Sequence, residues 1–356
     1  MKYIYDVLEG LCGAVGVPGV AGCSDAACVA LELLRKYIPD AQQDKFGNVY
    51  GIIKGGNKLS AALSDEQETF PKLPTLLLDA HIDEVGMIVT FIDDKGFIKA
   101  GLCGGVDPRI LSAQRVTVWG KKPINGVVCS LPPHLVKDEK KALKKEDIII
   151  DVGLSKEQLA EFVSLGDRIT VDGEFTRLKK ARLTSRALDN RAGVAAILYA
   201  LELMQGRELK YDLAVLFSSL EEVGGRGARI GAYRLKPDFA VVVDVSYGDC
   251  PELLVHESGR MGDGVMIGIS PYLDREIFEN FKILAKTHDV KHQIEVMSRS
   301  TGTNADEITV SRCGVRGGLL SIPLRNMHTP AELVDIEDIE ATGRLLCEFC
   351  CDKWGV

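Results

Sequence analysis

The chain has 356 residues, of which 46% are hydrophobic and 26% charged, a composition typical of a globular protein with roughly two domains. Its 51 acidic residues outnumber its 43 basic ones, which gives a net charge of −8. This balance argues against nucleic acid or an anionic membrane as the main partner, because both attract a basic surface. No run approaches the 18 apolar residues of a membrane-spanning helix.

The N-terminal region and the cysteines indicate in which cellular compartment the protein is expected. The uncharged stretch 11–24 ends in VAGC, like a lipoprotein cleavage site, but Asp6 and Glu9 stand where a signal peptide needs positive charge. The ten cysteines form no paired CxxC array, so we expect reduced thiols and a cytoplasmic protein. A zinc site on Cys347 and Cys350 is an open alternative that lacks two further ligands nearby.

The sequence pattern of the first half of the chain changes near residue 86. A helix is predicted at 24–37 with Ser24 as its N-cap, then an exposed loop at 57–73 and a buried strand at 75–80. From about 86 to 178, short β-rich runs are separated by Gly, Asp and Pro. This spacing is typical of a small barrel or sandwich.

After residue 180 the pattern becomes an alternation of apolar strands and helices. Strands are predicted at 213–217, 239–243 and 317–322, and helices at 191–204 and 335–351. Such alternation predicts an α/β sheet covered on both faces.

The simplest architecture is one α/β domain formed from both ends of the chain. It would comprise residues 1–85 and 179–356, with a β-rich domain of residues 86–178 inserted between them.

Acidic residues and histidines stand at or just past the ends of the predicted strands. They are His81, Asp83, Asp189, Glu221, Glu222, Asp244 and His328. In open α/β sheets, sites form outside the carboxyl ends of the strands, so these residues are expected to converge. Two histidines and several carboxylates suit zinc or cobalt, and two ions that share a carboxylate would activate water together.

Each of these residues also has an ordinary explanation when it is taken alone. An aspartate before a helix is often a cap, an isolated histidine is often a hydrogen-bonded polar residue, and adjacent glutamates are often solvated. Asp244 is harder to explain in this way, because a charge beside an apolar strand costs free energy unless it is paired or coordinated.

The sequence resembles the M42 family of metallo-aminopeptidases. The matching segments are AHIDEVG at 80–86, ALDNRAG at 187–193, EEVGGRGA at 221–228, VDV at 243–245 and RNMHTP at 325–330. Two positions depart from the pattern of many members, which have Gln at Leu220 and Leu at Gly225. Neither change removes a ligand that the resemblance implies.

The resemblance implies a role for each site residue. His81 and Asp244 would bind one metal ion, Glu222 and His328 would bind the other, and Asp189 would bridge the two. Glu221 would be the general base and Asp83 would orient His81, while Asp306 is more loosely associated with the site. The peptide bond between Asp189 and Asn190 is expected to be cis.

The resemblance also implies a fold, an activity and an assembly. The fold would be a mixed sheet sandwiched by helices with an inserted β-barrel-like dimerisation domain. The activity would be removal of N-terminal residues from peptides with two zinc or cobalt ions, and the assembly would range from dimer to dodecamer. A deacylase or carboxypeptidase, a non-catalytic scaffold and an endoglucanase are the alternatives, although the histidines have no role in the last.

Overall fold

The computed structural model describes residues 1–19, 25–56, 73–130, 144–251 and 253–352. Ser24 and nearly all of the loop expected at 57–73 lie outside these residues. The described helices are α1 Lys2–Gly13, α2 Asp25–Arg35, α3 Lys156–Leu159, α4 Leu188–Leu203, α5 Arg226–Leu235, α6 Arg275–Thr287, α7 Ala305–Ile308 and α8 Ile336–Cys351.

The described strands fall into three stretches of the chain. Before residue 86 lie β1 Gln42–Gln43, β2 Val49–Ile53 and β3 Thr75–His81. The next are β4 Gly86–Ile92, β5 Ile98–Cys103, β6 Arg115–Trp119, β7 Pro123–Val128, β8 Ile149–Asp151 and β9 Arg168–Val171. The last are β10 Thr176–Arg177, β11 Arg182–Ser185, β12 Asp212–Ser218, β13 Phe239–Tyr247, β14 Val265–Ile269, β15 His292–Val296, β16 Arg316–Arg325 and β17 Glu332–Asp335.

The first and last stretches form one mixed sheet. Its strand order is β1-β2-β12-β3-β13-β16-β17-β11-β10, and β14 pairs with both β16 and β15. The neighbouring strands β12, β3, β13 and β16 are parallel, whereas β2 and β17 pair with them antiparallel. Parallel neighbours place the carboxyl ends of four strands at one edge of the sheet, which is where a site is expected.

Helices cover both faces of this sheet. Every residue of β3 and β12 is buried, as a continuous apolar run predicts. Leu76 and Leu78 of β3 belong to the same core cluster as Leu8 of α1, whereas Leu77 belongs to a second cluster with Ala228 of α5. Successive side chains of a strand point to opposite faces, so one strand anchors both helical layers.

Strands β4 to β9 close a barrel in the order β4-β5-β8-β7-β6-β9. Its core is aliphatic and includes Met87, Val116, Ile150 and Ile169, all fully buried. The fold class predicted from the sequence is therefore confirmed, as a helix-covered mixed sheet with a small closed barrel. The division into domains at residues 85/86 and 178/179 stays a prediction.

Several features differ from the sequence predictions. Helix α1 was not predicted, although Ile4, Val7, Leu8 and Leu11 form a buried helical stripe in it. Eight of the described cysteines are free thiols, as expected, whereas Cys28 is disulfide-bonded, so the expectation of reduced thiols fails at that position. Among the described residues, none of the helices has the length and apolarity that crossing a bilayer requires.

Candidate metal centre

The predicted site residues stand at the carboxyl edge of the parallel strands. His81 is the last residue of β3, and Asp244 lies in the second half of β13. The Glu221–Glu222 pair follows the end of β12, and His328 follows the end of β16. Asp189 lies at the start of α4. The fold therefore brings together residues from five separate parts of the chain.

His81 and two carboxylates form a first group of potential metal ligands. His81 Nε2 lies 3.1 Å from Asp189 Oδ1 and 3.7 Å from Asp244 Oδ1. The Asp189–Asn190 peptide bond is cis, which confirms the prediction. The Asn190 amide donates a hydrogen bond of 2.7 Å to the carbonyl of Val243. This bond ties the start of α4 to the strand that carries Asp244.

His328 and two carboxylates form a second group. His328 Nε2 lies 3.3 Å from Asp189 Oδ2 and 3.5 Å from Glu222 Oε1. Asp189 therefore turns one oxygen towards each histidine and belongs to both groups. We call the residues of the two groups, together with Glu221, the strand-end cluster: His81, Asp189, Glu221, Glu222, Asp244 and His328.

The strand-end cluster holds four carboxylates whose ion-pair partners in the described part of the chain are the two histidines. Burial raises the pKa of Glu222 and of Asp244 well above the usual range. Burial also opposes ionisation of Asp189, but hydrogen bonds with His328 and His81 outweigh it and lower the pKa of that carboxyl. The cluster thus gathers four carboxyl groups that form no ion pair with a lysine or arginine among the described residues.

Asp83 connects His81 to the glutamate pair. Its Oδ1 accepts the N–H of Glu221 at 3.1 Å, and its Oδ2 accepts the N–H of Glu222 at 3.2 Å. His81 Nδ1 lies 3.2 Å from the Asp83 backbone carbonyl and 3.6 Å from its Oδ1. The Asp83 carboxylate is therefore directed mainly at the backbone that carries the glutamates.

Comparison with known proteins places this site in a family. The model of the M42 glutamyl aminopeptidase family matches residues 65–345. The chain belongs to the M42 family. This confirms the resemblance found in the sequence and makes the protein a peptidase, which is a hydrolase.

The M42 relatives cover almost the whole chain. The lysyl aminopeptidase of Pyrococcus furiosus is 31% identical over 338 residues, which cover 92% of either chain. The solved structure of a TET aminopeptidase from a marine sediment archaeon of the Thaumarchaeota has a TM-score of 0.88 at 28% identity, over 98% of this chain and 96% of that one. The TET1 peptidase of Pyrococcus horikoshii has a TM-score of 0.79 at 25% identity, over 98% of this chain and 100% of that one. That peptidase can assemble into a tetrahedron or a large octahedral shell.

The donor set of this M42 peptidase fits divalent metal ions. Imidazole nitrogens and carboxylate oxygens suit zinc, cobalt and manganese. The ligand atoms of each group lie within 4.8 Å of one another, so each group could surround one ion. Four carboxylates carry four negative charges at most, and two divalent ions carry four positive ones.

A buried glutamate beside the cluster was not predicted. Glu332 is 2% exposed, and its two oxygens accept the backbone N–H groups of Asp189, at 3.0 Å, and of His328, at 2.8 Å. It therefore holds the backbone of two potential ligands. The only signal in the sequence was its position four residues after His328.

A second buried charge group lies next to the strand-end cluster, and sequence reasoning missed it too. Glu84 accepts hydrogen bonds from Arg186, from Arg191 at 2.9 Å and from the N–H of Gly16 at 2.8 Å. Burial alone would raise the pKa of Glu84, but the two arginines outweigh it and lower that pKa. We call this group the arginine–glutamate network: Glu84, Arg186 and Arg191.

Two glycines after β5, Gly104 and Gly105, bring the backbone close to the cluster because they have no side chains. The carbonyl of Gly105 lies 3.2 Å from His328 Nδ1, and a Cβ atom on Gly105 would stand 2.6 Å from that nitrogen. A Cβ on Gly104 would stand 3.2 Å from Glu222 Oε2. Only glycine allows the barrel backbone to approach this closely.

Asp306 does not join the cluster. Its carboxylate accepts hydrogen bonds from the N–H of Thr301 and the N–H of Gly302, both at 3.0 Å. It stabilises its own turn and is absent from the groups of potential ligands found among the described residues.

Proposed function

We propose that this M42 peptidase is an aminopeptidase that holds two divalent metal ions and removes N-terminal residues from peptides. The observation that carries the proposal is the position of Asp189, which directs one oxygen to each of two histidine-containing groups. A carboxylate that lies between two ligand sets is suited to bridge two ions.

The proposed ligands divide between two ions. His81 and Asp244 would hold the first, Glu222 and His328 would hold the second, and Asp189 would contribute to both. Bound zinc or cobalt ions would supply Lewis-acid chemistry, which stabilises negative charge on a scissile carbonyl and eases deprotonation of water. The identity and the number of the ions belong to the proposal.

Glu221 is the proposed general base. Its side chain is 18% exposed, compared with 7% for Asp189, 6% for Asp244 and 5% for Glu222. Its Oε2 lies 4.0 Å from His81 Nε2, so it faces the cluster and also reaches solvent. From this position the carboxylate would take the proton of the attacking water and pass it to the departing amine, while Asp83 holds its backbone in place.

Replacing Glu221 tests its role. Glu221→Gln keeps the shape of the side chain but removes the base, so kcat is expected to fall by about 10² to 10⁴. Two ions per subunit should remain by elemental mass spectrometry. Glu174→Gln, at an exposed site outside the cluster, is the matched control. Retained activity would contradict the assignment, and loss of an ion would make Glu221 a ligand rather than a base.

The substrate class and the metal can be tested on the same preparation. Metal-free protein would be reloaded with zinc, cobalt or manganese and assayed on aminoacyl p-nitroanilides with free and with acetylated N-termini. An aminopeptidase cleaves the free forms only. Release of acetate from the acetylated forms, with the anilide bond left intact, would favour a deacylase instead.

We further propose that residues 86–178 form a dimerisation domain and that the dimers build larger assemblies. The support is the similarity to the TET1 peptidase, which can assemble into a tetrahedron or a large octahedral shell. Light scattering on the full chain would distinguish a dimer from a dodecamer. A cytoplasmic location completes the proposal, and fractionation of producing cells would test it.

A further inference from the structure

An open cleft lies beside the second ligand group. Asp189, Glu222 and His328 line it, whereas His81 and Asp244 do not. A peptide whose scissile carbonyl reaches the strand-end cluster therefore has this space next to the bond that is cut. A side chain adjacent to that bond is the group best placed to enter the cleft.

Apart from the three potential metal ligands, six of the ten residues that line the cleft are apolar. Val106, Ile110 and Val171 line it from the barrel side, and Val85 and Pro330 line it from segments that connect strands. Ile110 is half-buried and packs against the barrel core, so the rest of its side chain is available to the cleft. Such a lining favours apolar over charged occupants, because moving an apolar side chain out of water is favourable, whereas a charged side chain loses its hydration.

The charged groups that line the cleft outside the metal ligands already have protein partners. Glu84 and Arg186 pair with each other in the arginine–glutamate network. Glu332 uses both oxygens to accept backbone N–H groups. A charged substrate side chain would therefore lose hydration beside groups whose hydrogen bonds are already made within the protein.

We infer that this cleft is a specificity pocket for the aliphatic side chain of a residue that flanks the scissile bond, and that Ile110 limits its size. The inference rests on the proposed aminopeptidase function and names its substrate class. Peptides with leucine, isoleucine, valine or methionine at the position served by the cleft are the preferred substrates. Those with aspartate, glutamate or lysine there are poor ones.

Two substitutions at Ile110 test the pocket in opposite directions. Ile110→Trp fills it, and kcat/KM for leucyl substrates is expected to fall about 10-fold while alanyl substrates are nearly unaffected. Ile110→Ala enlarges it and shifts the preference towards phenylalanine. Ile124, a half-buried isoleucine of β7 that also packs on the barrel core, supplies the matched controls Ile124→Trp and Ile124→Ala.

The metal-loaded wild type and variants would be assayed on two peptide series, Xaa-Ala-Ala and Ala-Xaa-Ala, by initial rates of the first cleavage. A change in size preference at Ile110 in one series supports the pocket and shows which residue occupies it. Unchanged preferences in both series, or wild-type preference for charged residues in both, would overturn it. If the wild type cleaves no free peptide, the proposed function itself has failed, and metal content by elemental mass spectrometry shows whether the ions are present.

Discussion

The strand-end cluster and the arginine–glutamate network are both buried and charged, and they are adjacent in the chain, yet they are balanced differently. Glu84 follows Asp83 directly, and Arg191 lies two residues after Asp189. In the network, two arginines pair with one carboxylate and lower its pKa. In the cluster, carboxylates outnumber their histidine partners, and burial raises the pKa of Asp244.

This difference separates a structural charge group from a candidate metal site. Arg191 is fully buried, and it also donates hydrogen bonds to the carbonyls of Leu11, at 2.5 Å, and Ala14, at 2.7 Å. The network therefore pairs its carboxylate with two arginines and fastens α1 to the start of α4. The carboxylates of the cluster have no arginine or lysine partner among the described residues. Buried carboxylates without such partners favour the binding of cations from solution.

The largest expected effect comes from breaking the network. Glu84→Ala leaves two arginines without their shared carboxylate, and we expect the free energy of unfolding to fall by about 3 to 5 kcal/mol. Denaturant unfolding of the metal-free protein would measure this loss. Glu174→Ala, at an exposed position, is the control. A loss below about 1 kcal/mol would remove the distinction between the two groups.

A carboxylate of the cluster should behave in the opposite way. Asp244→Asn relieves charge crowding, so the metal-free variant should be at least as stable as the metal-free wild type. Added metal should then make the wild type more stable than the variant. An ion at a concentration of about 100 times its Kd stabilises the wild type by about 2.7 kcal/mol, and the variant, which lacks one ligand, by less. Thermal unfolding with and without zinc measures both. If Asp244→Asn destabilises the metal-free protein as strongly as Glu84→Ala does, the cluster is structural.

A smaller effect is expected where the barrel meets the cluster. Gly105→Ala places a methyl group against the His328 ring and should weaken zinc binding about 10-fold, as loss of support around a ligand typically does. Gly13→Ala, where a Cβ would meet nothing within 4 Å, is the matched control. Zinc titration with a competing chelator measures the affinity. Equal affinities for the two variants would show that this contact does not position His328.

The sequence predicted the parts of the site that have local signals. His81, Asp244 and the glutamate pair follow apolar runs, so their position at strand ends could be inferred from periodicity alone. Glu332 and Gly105 have no such signal. Their importance comes from contacts with residues far away in the chain, such as Asp189 and His328, which no local pattern records.

Element boundaries show the same limit. Strands β6 and β9 coincide with two of the short β-rich runs that the sequence predicts between residues 86 and 178, because turn residues separate those runs. Helix α6 and the edge strand β15 were not predicted. Ile294 and Val296 of β15 are exposed, so its apolar residues do not follow the pattern of a half-buried strand.

The sequence by itself determined the chemistry of this protein: which residue types stand at strand ends, the helix-covered sheet with its inserted β-rich region, and the M42 family. Only the tertiary structure decided which buried charges are paired and which are not. Glu84 and Asp244 are both acidic residues in or beside an apolar strand. They differ because two arginines reach one of them through the fold and none reaches the other among the described residues. Charge compensation depends on distances in space, and the fold sets those distances.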